Sequence, residues 1–295
     1  MPTSLHRITA ATTLAFVSFA APSHAAERHP VTGLVLAVDP QARTIAVSCD
    51  RVPGYMDAMV MRFSVRDEKP LAELKRGTSI EFTLVIEGLS SYADDIRVRR
   101  EESLDTEALE ARRLRLLSRL AAPSPAPRVL AIDETVPDFR LTDQNRLPLA
   151  LSQLTGKVVA LTFTYLRCPN PAYCFRLASN FRELQKRFGD RAGQDLVLLT
   201  VAIDPQHDRG RELADYAGVW TADARAWHFL TGSVPEIKRV AGMFGVEFWN
   251  DEGSVVHSFH TAVIDRQRRL AANLEGNQFT PAQLGDLVQS VLNRP

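Results

Sequence analysis

Two patterns of apolar and polar residues divide this chain into different regions. The first region alternates apolar and polar residues over short segments separated by turn residues, which is typical of antiparallel strands. These segments are residues 31–38, 44–49, 59–65 and 79–87, with a last one near Ile96. Short strands at this spacing predict a small all-β barrel of the OB-like kind over residues 27–100.

The pattern changes after residue 131 to apolar runs that alternate with amphipathic segments. A short apolar run indicates a buried strand, and apolar residues every three or four positions indicate a helix with one buried face. The predicted strands are 158–165, 195–203, 226–230, 255–265 and 269–273, and the predicted helices are 173–188, 209–218, 234–244 and 281–292. This order predicts an α/β domain over residues 131–295.

Residues 101–130 separate the two predicted domains. A charged segment with a thin stripe of leucines predicts a helix, and it is followed by the proline-rich spacer Ala121-Ala-Pro-Ser-Pro-Ala-Pro127. Such a spacer is stiff and similar to polyproline. We therefore place the domain boundary in this segment.

The first 26 residues have the arrangement of an export signal. His6 and Arg7 precede an apolar run from Ile8 to Ala21, and Ser23-His-Ala25 is a small-residue cleavage site. The apolar run is shorter than the roughly 20 residues that cross a bilayer. We therefore predict a periplasmic protein with a signal peptide, either soluble or anchored at its N-terminus.

The charge of the chain is balanced. Lys plus Arg and Asp plus Glu number 35 each, so the net charge is zero. The sequence therefore lacks the basic excess that proteins use to bind nucleic acid or an anionic membrane. We expect its partners to be recognised by local chemistry instead.

Two cysteines mark the transition from a buried strand to an amphipathic helix. Cys168 and Cys174 follow the apolar run at 158–165, and a helix N-terminus at that position is expected to lower a thiol pKa and leave the sulfur accessible. His257 follows far downstream, whereas His260 falls on the opposite face of the same predicted strand. Two thiolates and one imidazole suit Cu(I) and can also hold Cu(II). The same cysteines can close as a redox disulfide, so metal binding requires their reduced form.

A second group of soft donors lies in the predicted barrel. Cys49 is the odd cysteine of an exported chain, and binding a metal is one of few stable fates for it. Met59 and Met61 share one face of a predicted strand, and Met56 projects from the turn before it. Thioethers do not form disulfides, so they are Cu(I) ligands suited to an oxidising compartment. The alternative is that these methionines fill the barrel core.

Four segments of the C-terminal half form a recognisable set. They are Phe163-Thr-Tyr-Leu-Arg-Cys-Pro169, Ile203-Asp-Pro-Gln-His-Asp208, Trp227-His-Phe-Leu-Thr-Gly232 and the strand with His257. Together they resemble the Sco/SenC copper-binding family over about residues 131–295. The resemblance implies a thioredoxin-like fold, copper ligands at Cys168, Cys174 and His257, and a role in carrying copper towards cytochrome oxidase or keeping its cysteines reduced.

This chain departs from the usual family motif in the cysteine loop. Family members typically have three residues between the two cysteines, whereas Cys168 and Cys174 are separated by five. Nearby, Asp204 and Asp208 belong to a turn of the family type. They can cap the helix that begins near Arg209 or influence the cysteine loop, and we predict the capping role.

The N-terminal domain resembles the small periplasmic CusF-like copper-binding barrel. The resemblance rests on Asp50, Met59-Val-Met-Arg-Phe63 and Asp94-Asp-Ile-Arg-Val98. Where that family has a histidine ligand this chain has Cys49, and Met56 stands where efflux proteins have a capping tryptophan. A thiolate in place of an imidazole strengthens the preference for soft metals and exposes the site to oxidation.

The hypothesis that follows is a periplasmic metallochaperone rather than an enzyme. Copper would bind in both domains and serve cytochrome oxidase copper-centre assembly or copper homeostasis, with a cytochrome oxidase subunit or another periplasmic copper protein as partner. The alternative is a periplasmic thiol-disulfide oxidoreductase acting on cysteines of a copper protein, although the usual Cys-x-x-Cys spacing is absent. A third possibility is a structural protein whose barrel binds a partner.

Overall fold

The computed structural model describes residues 26–99, 128–168, 171–221, 223–251 and 254–294. The predicted signal peptide at 1–26 and the predicted charged helix and linker at 101–130 lie outside these ranges, apart from residue 26 and residues 128–130. Within the described ranges, no helix combines the length and the apolar character that a membrane crossing requires.

The N-terminal strands close into a barrel. They are β1 (Glu27–Asp39), β2 (Thr44–Cys49), β3 (Met59–Val65), β4 (Ser79–Glu87) and β5 (Ser90–Val98). The order around the barrel is β1-β2-β3-β5-β4, and β4 pairs with β1 to close it. The predicted all-β barrel is therefore confirmed, and β2, β3 and β4 have the predicted bounds.

The C-terminal domain is built on a mixed sheet. Its strands are β6 (Arg140–Asp143), β7 (Pro148–Ala150), β8 (Val158–Thr164), β9 (Leu196–Ala202) and β10 (Trp227–Thr231), followed by β11 (Phe248–Asp251), β12 (Ser254–His257), β13 (His260–Ile264) and β14 (Leu270–Glu275). The seven-stranded sheet has the order β14-β13-β8-β9-β10-β6-β7, and β11 pairs with β12 in a separate hairpin. The central strands β8, β9 and β10 are parallel.

Four helices accompany the sheet in the described part of the chain. They are α1 (Arg176–Phe188), α2 (Gly210–Trp220), α3 (Val234–Met243) and α4 (Pro281–Leu292). Every residue of β8 and β9 is buried, as expected for parallel strands covered on both faces. The predicted α/β domain is confirmed, and its fold is thioredoxin-like.

One predicted strand is wrong in its extent. The sequence predicts a single strand over 255–265, whereas the structure has β12 and β13 with a break at Ser258 and Phe259. The two strands belong to different sheets, because β12 pairs with β11 and β13 pairs with β8 and β14. His257 and His260 therefore lie on different elements and not on opposite faces of one strand.

The barrel packs directly against the C-terminal domain. Leu34 and Leu36 of β1 are 2% and 4% exposed, and they belong to the hydrophobic core of the C-terminal domain, whereas Val35 between them faces the barrel core. Arg76 donates one hydrogen bond to the Leu36 carbonyl at 3.2 Å and another to the Ala271 carbonyl at 2.8 Å. Both hydrophobic and polar contacts therefore join the two domains.

Helix α4 is common to these contacts. It packs against α1 within the C-terminal domain and also contacts β1 and β2 of the barrel. Its first turn is fixed by a capping box in which Thr280 and Gln283 exchange hydrogen bonds, with Pro281 at the first helical position. The end of β2 that carries Cys49 therefore lies against a well-defined helix of the other domain.

Candidate metal centres

The C-terminal cysteines lie at the carboxyl end of β8, where α/β sheets place their ligands. Cys168 is partly buried, and its main-chain N–H donates to the Tyr165 carbonyl at 3.1 Å. Cys174 is 3% exposed and lies in a π-helical turn, Pro171–Phe175, that precedes α1. Cys49, Cys168 and Cys174 are not joined by disulfides in this structure.

The predicted lowering of the thiol pKa is wrong for Cys174. A hydrogen bond with Cys168, together with burial, raises the pKa of Cys174, and the Thr164 hydroxyl and the Tyr165 backbone offset this only in part. Cys174 precedes the regular helix instead of opening it, so burial outweighs the helix dipole. A metal ion that binds here must therefore displace the thiol proton.

His257 presents a ring nitrogen to Cys174. Its Nε2 lies 3.7 Å from the Cys174 sulfur, and its Nδ1 lies 3.0 Å from the Ser258 carbonyl oxygen. Because a carbonyl oxygen only accepts hydrogen bonds, Nδ1 carries the proton and Nε2 keeps its lone pair. Burial also lowers the pKa of His257 to about 4, so the ring is neutral at pH 7. This is the tautomer and charge state that a metal ligand needs.

The spacing of this pair suits a shared ion. Donor atoms about 2.2 Å from an ion in trigonal geometry lie about 3.8 Å apart, close to the observed 3.7 Å. Aromatic rings shield the pair. The ring centroid of Phe259 lies 4.6 Å from that of His257, and on its other contact it lies 5.2 Å from that of Tyr173. The structure thus brings Cys174 and His257 together in a sheltered position.

The third predicted ligand completes this group only in part. Cys168 is within hydrogen-bonding range of Cys174. Across the described ranges, however, no three His, Cys, Asp or Glu side chains form a compact metal-binding cluster. The described residues thus pair Cys174 with His257 and with Cys168, without a compact cluster of all three.

His260 lies apart from this group, in the seven-stranded sheet. Burial lowers the pKa of His260, and its buried Nδ1 lacks a hydrogen-bond partner among the described residues. The ring packs near Gly245, where an added Cβ would lie 3.4 Å from its Cε1 atom. His260 is thus a packing residue of the C-terminal domain and does not join Cys174 and His257.

The predicted capping role of Asp204 and Asp208 is wrong. The residue before α2 is Arg209, and no side chain caps that helix. Asp208 instead accepts a hydrogen bond from the main-chain N–H of Leu166 at 3.0 Å, and Asp204 pairs with Arg167 at 2.6 Å. Burial raises the pKa of Asp208 to about 6. The two carboxylates therefore hold the chain that leads to Cys168.

An open groove adjoins the cysteine loop. Its volume is about 670 Å³. Residues of the loop and of α2 line it, namely Leu166, Arg167, Gln206, His207, Asp208, Arg209, Glu212, Asp215, Tyr216 and Val219. Charges of both signs and the 68% exposed Val219 give this groove a mixed surface beside Cys168.

The barrel places its sulfur residues at one end. Cys49 pairs with Met59 across β2 and β3, and Val47 pairs with Met61. Directly opposite residues of an antiparallel pair share a face, so Cys49, Met59 and Met61 all project towards the barrel interior. Met56 packs against the same core and is held by a bridge to Val52. The structure thus brings the predicted sulfur donors to one region.

These sulfur donors differ in how deeply they are buried. Cys49 is 2% exposed, and burial, with a smaller contribution from the Asp50 charge, raises its pKa to about 12. Met59 is 50% exposed at the open end of the barrel. An incoming soft ion would therefore meet a thioether first and the thiol last.

Several residues near this end of the barrel carry little or no signal in the sequence. Tyr55 stacks on His29 with ring centroids 3.9 Å apart, and its position beside Met56 is the only sequence feature that places it near the sulfur residues. Gln283 and Asp286 of α4 reach the strand around Cys49. No sequence signal could identify these two, because they lie more than 200 positions away.

Two family models match the chain. The SCO1/SenC model matches residues 130–293, which is more than half of the chain. The model described as copper binding periplasmic protein CusF matches residues 28–90. Both resemblances predicted from the sequence are therefore confirmed.

Individual relatives match the C-terminal half. The SCO1 protein homolog of Bacillus subtilis (strain 168) is 24% identical over 150 residues, which are 50% of this chain and 76% of that protein. A SCO1/SenC family lipoprotein from Bacillus anthracis str. Ames is 24% identical with a TM-score of 0.49, covering 56% of this chain and 97% of that one. Arabidopsis thaliana ScoI with copper bound is 22% identical with a TM-score of 0.47, covering 56% of this chain and 100% of that one.

Proposed function

Because the chain belongs to the SCO1/SenC family of copper-binding thioredoxin-fold proteins, we propose that it is a periplasmic copper metallochaperone. Its C-terminal site is formed by Cys168, Cys174 and His257. The observation that carries this proposal is the 3.7 Å contact between the Cys174 sulfur and the unprotonated Nε2 of His257. That contact provides two of the three donors at a spacing suited to one ion.

Copper is the cargo of this site. Cu(I) displaces the protons of both thiols, whereas Nε2 of the neutral His257 ring has no proton to lose. The site can also hold Cu(II), since imidazole suits both oxidation states. A disulfide between Cys168 and Cys174 removes both sulfur ligands, so reduction of this pair precedes loading.

The barrel forms a second Cu(I) site. Its donors are Cys49, Met56, Met59 and Met61, and the shared interior face of β2 and β3 supports this assignment. The match to the CusF model over residues 28–90 supports a copper-binding barrel with limits near 27–100. The C-terminal domain then occupies about 131–295.

Delivery requires a protein acceptor. The groove lined by Leu166 and Arg167 supports docking there, because it is open, partly apolar and directly precedes Cys168 in the chain. A cytochrome oxidase subunit or another periplasmic copper protein is the acceptor that fits a copper carrier of this family.

The first 26 residues act as the export signal, with the mature protein soluble or held at the membrane by its N-terminus.

Copper titration tests this function. The reduced full-length protein is titrated with Cu(I) without oxygen against a chromogenic Cu(I) chelator, and we expect two ions per chain. Removing the side-chain donors of Cys168, Cys174 and His257 together should leave one ion. Absence of Cu(I) binding, or unchanged stoichiometry in that variant, would overturn the proposal.

A second candidate is a thiol-disulfide oxidoreductase acting on cysteines of a copper protein. The neighbouring reduced cysteines Cys168 and Cys174 favour it, since Cys168 is only partly buried and a thiolate there could attack a disulfide. The raised pKa of the buried Cys174 thiol disfavours rapid exchange. Disulfide reduction that persists after rigorous copper removal would support this enzyme.

A further inference from the structure

The residues before and after Cys49 are both held by the C-terminal domain. Successive residues of a strand point to opposite faces, so Ser48 and Asp50 face outwards while Cys49 faces the barrel interior. The Ser48 hydroxyl donates to Asp286 at 2.7 Å, and the Gln283 amide donates to Asp50 at 3.0 Å. Both partners lie on α4, one helical turn apart.

The Asp50 carboxylate is fully engaged. Its Oδ2 accepts a hydrogen bond from the Thr32 hydroxyl at 2.7 Å, and its Oδ1 accepts the bond from Gln283 Nε2. Its main-chain N–H donates to the Thr32 carbonyl at 2.9 Å. Asp50 thus links the barrel wall to α4 at the position directly after Cys49.

The orientation of the Gln283 amide is set by the helix that carries it. Its Oε1 accepts from the Thr280 main-chain N–H at 2.9 Å, which closes the capping box. Because this oxygen is committed to a donor, the NH₂ group must point the other way, towards the acceptors Asp50 and the Ser48 carbonyl. Gln283 is 6% exposed, so water does not compete for these bonds.

The second contact is anchored equally well. Asp286 accepts the Ser48 hydroxyl on Oδ2 and pairs through Oδ1 with Arg187 of α1 at 2.6 Å. Arg187 also donates to the Ala282 carbonyl at 3.0 Å. The position of Ser48 is therefore tied to two helices of the C-terminal domain.

We infer that Gln283 and Asp286 are positioning residues for the copper site of the barrel. By fixing Asp50 and Ser48, they fix the main chain from which the Cys49 sulfur projects towards Met59. Groups that orient metal ligands from outside the coordination sphere typically contribute 10- to 100-fold in metal affinity. This inference rests on the proposed Cu(I) site in the barrel.

The test uses the full chain with Cys168→Ala, Cys174→Ala and His257→Ala, so that bound Cu(I) reports on the barrel alone. Gln283→Glu keeps an oxygen for the capping box but replaces the NH₂ donor with a carboxylate that faces Asp50. At pH 8, competition with a chromogenic chelator should show Cu(I) affinity falling by about 10- to 100-fold.

A second substitution that restores Cu(I) affinity distinguishes a positioning role from a general loss of stability. Adding Asp50→Asn to Gln283→Glu exchanges donor and acceptor, because the new amide can donate to the new carboxylate and still accept from Thr32. Most of the lost affinity should return. Gln289→Glu is the matched control, since Gln289 lies on the same helix and its side-chain amide donates to the exposed Asn293.

Each result has a distinct meaning. A parent protein that binds no Cu(I) overturns the proposed barrel site and this inference with it. Binding that Gln283→Glu leaves unchanged, or a loss that Asp50→Asn does not restore, overturns the inference alone. Should Gln283→Glu fail to fold, Ser48→Ala removes the contact with Asp286 and should also weaken Cu(I) binding, whereas unchanged affinity contradicts the positioning role.

Discussion

Nε2 of His257 faces the sulfur of Cys174 across 3.7 Å, although the two residues are 83 positions apart in the sequence. The Ser258 carbonyl keeps the ring proton on Nδ1, so the lone pair of Nε2 remains available. The imidazole is thus oriented towards the Cys174 sulfur before any metal arrives.

Replacing His257 should weaken copper binding strongly. Outer groups that merely orient a ligand already contribute 10- to 100-fold in affinity, so His257→Ala should lower the Cu(I) affinity of the C-terminal site by at least about 100-fold. Chelator competition on the reduced protein measures this. His260→Ala is the control, because His260 lies on β13 and not on the hairpin strand β12. Equal losses in the two variants would contradict the ligand role.

Acid should destabilise the metal-free protein through His257. Its pKa is about 4 in the folded chain, below the ordinary histidine value of 6.5, because burial disfavours the charged ring. As the pH falls, the unfolded state therefore binds the proton first. The neutral His257 ring contributes about 3 kcal/mol to the free energy of unfolding. This contribution is complete above about pH 6.5 and is lost as the pH falls from about 6.5 to about 4.

A matched variant isolates this effect. Asp208, whose raised pKa is about 6, acts in the opposite direction, since its folded form takes up a proton more readily. The free energy of unfolding is therefore measured against pH in both the wild type and His257→Asn. We expect the wild type to lose more stability than the variant below pH 6.5. Parallel curves would show that the ring does not titrate as described.

Loss of the Asp208 carboxylate should loosen the chain that leads to Cys168. Asp208 is 1% exposed and accepts the Leu166 N–H. Asp208→Ala removes the acceptor of that partly buried donor, which costs about 1–3 kcal/mol in unfolding free energy. Asp208→Asn keeps an acceptor oxygen and should cost less. Urea unfolding measures both, and equal losses would argue against this hydrogen bond.

Methionine substitution separates a metal site from a packed core. Met61→Leu nearly conserves volume, so it should cost less than about 1.5 kcal/mol in stability. It nevertheless removes a thioether, and Cu(I) binding by the barrel should weaken. Met243 is the control, since it is buried on α3 in the C-terminal core and Met243→Leu should leave copper affinity unchanged. Unchanged binding in Met61→Leu would favour the core-filler alternative.

The domain interface should couple unfolding of the two domains. Leu34 is buried in the C-terminal core, so Leu34→Ala should destabilise the protein by about 2–5 kcal/mol. In calorimetry, a single transition of the wild type should separate into two in the variant. The fully exposed Leu89 provides the control, because Leu89→Ala removes no packing. An unchanged single transition in Leu34→Ala would contradict the coupling.

The barrel strands were predictable because the alternation of apolar and polar residues there is regular and the turns are clear. The bounds of α4 match the prediction at 281–292, since Pro281 and the apolar repeat define them. The break between β12 and β13 was not predictable, because Ser258 and Phe259 are neither glycine nor proline. Short strands such as β6 and β7 are too brief to show a period.

The candidate site could be proposed from the sequence as a set of residues but not as an arrangement. Cysteine, methionine and histidine identify soft-metal chemistry wherever they fall in the chain. The hydrogen bond with Cys168 and the burial that together raise the pKa of Cys174 depend on packing that local sequence does not encode. The same holds for Asp208, whose partner is the cysteine loop and not the adjacent helix.

The close packing at Gly77 has a consequence for other members of the family. An added Cβ at Gly77 would lie 3.2 Å from the Cβ of Ala272 and 3.4 Å from Leu274, so this side of β14 packs directly against the barrel. A homologue made of the C-terminal domain by itself would expose that strand to water. We expect such homologues to carry hydrophilic residues at the positions of Ala272 and Leu274. The hydropathy of this one short strand would then indicate whether a family member has, or once had, an N-terminal barrel packed against it.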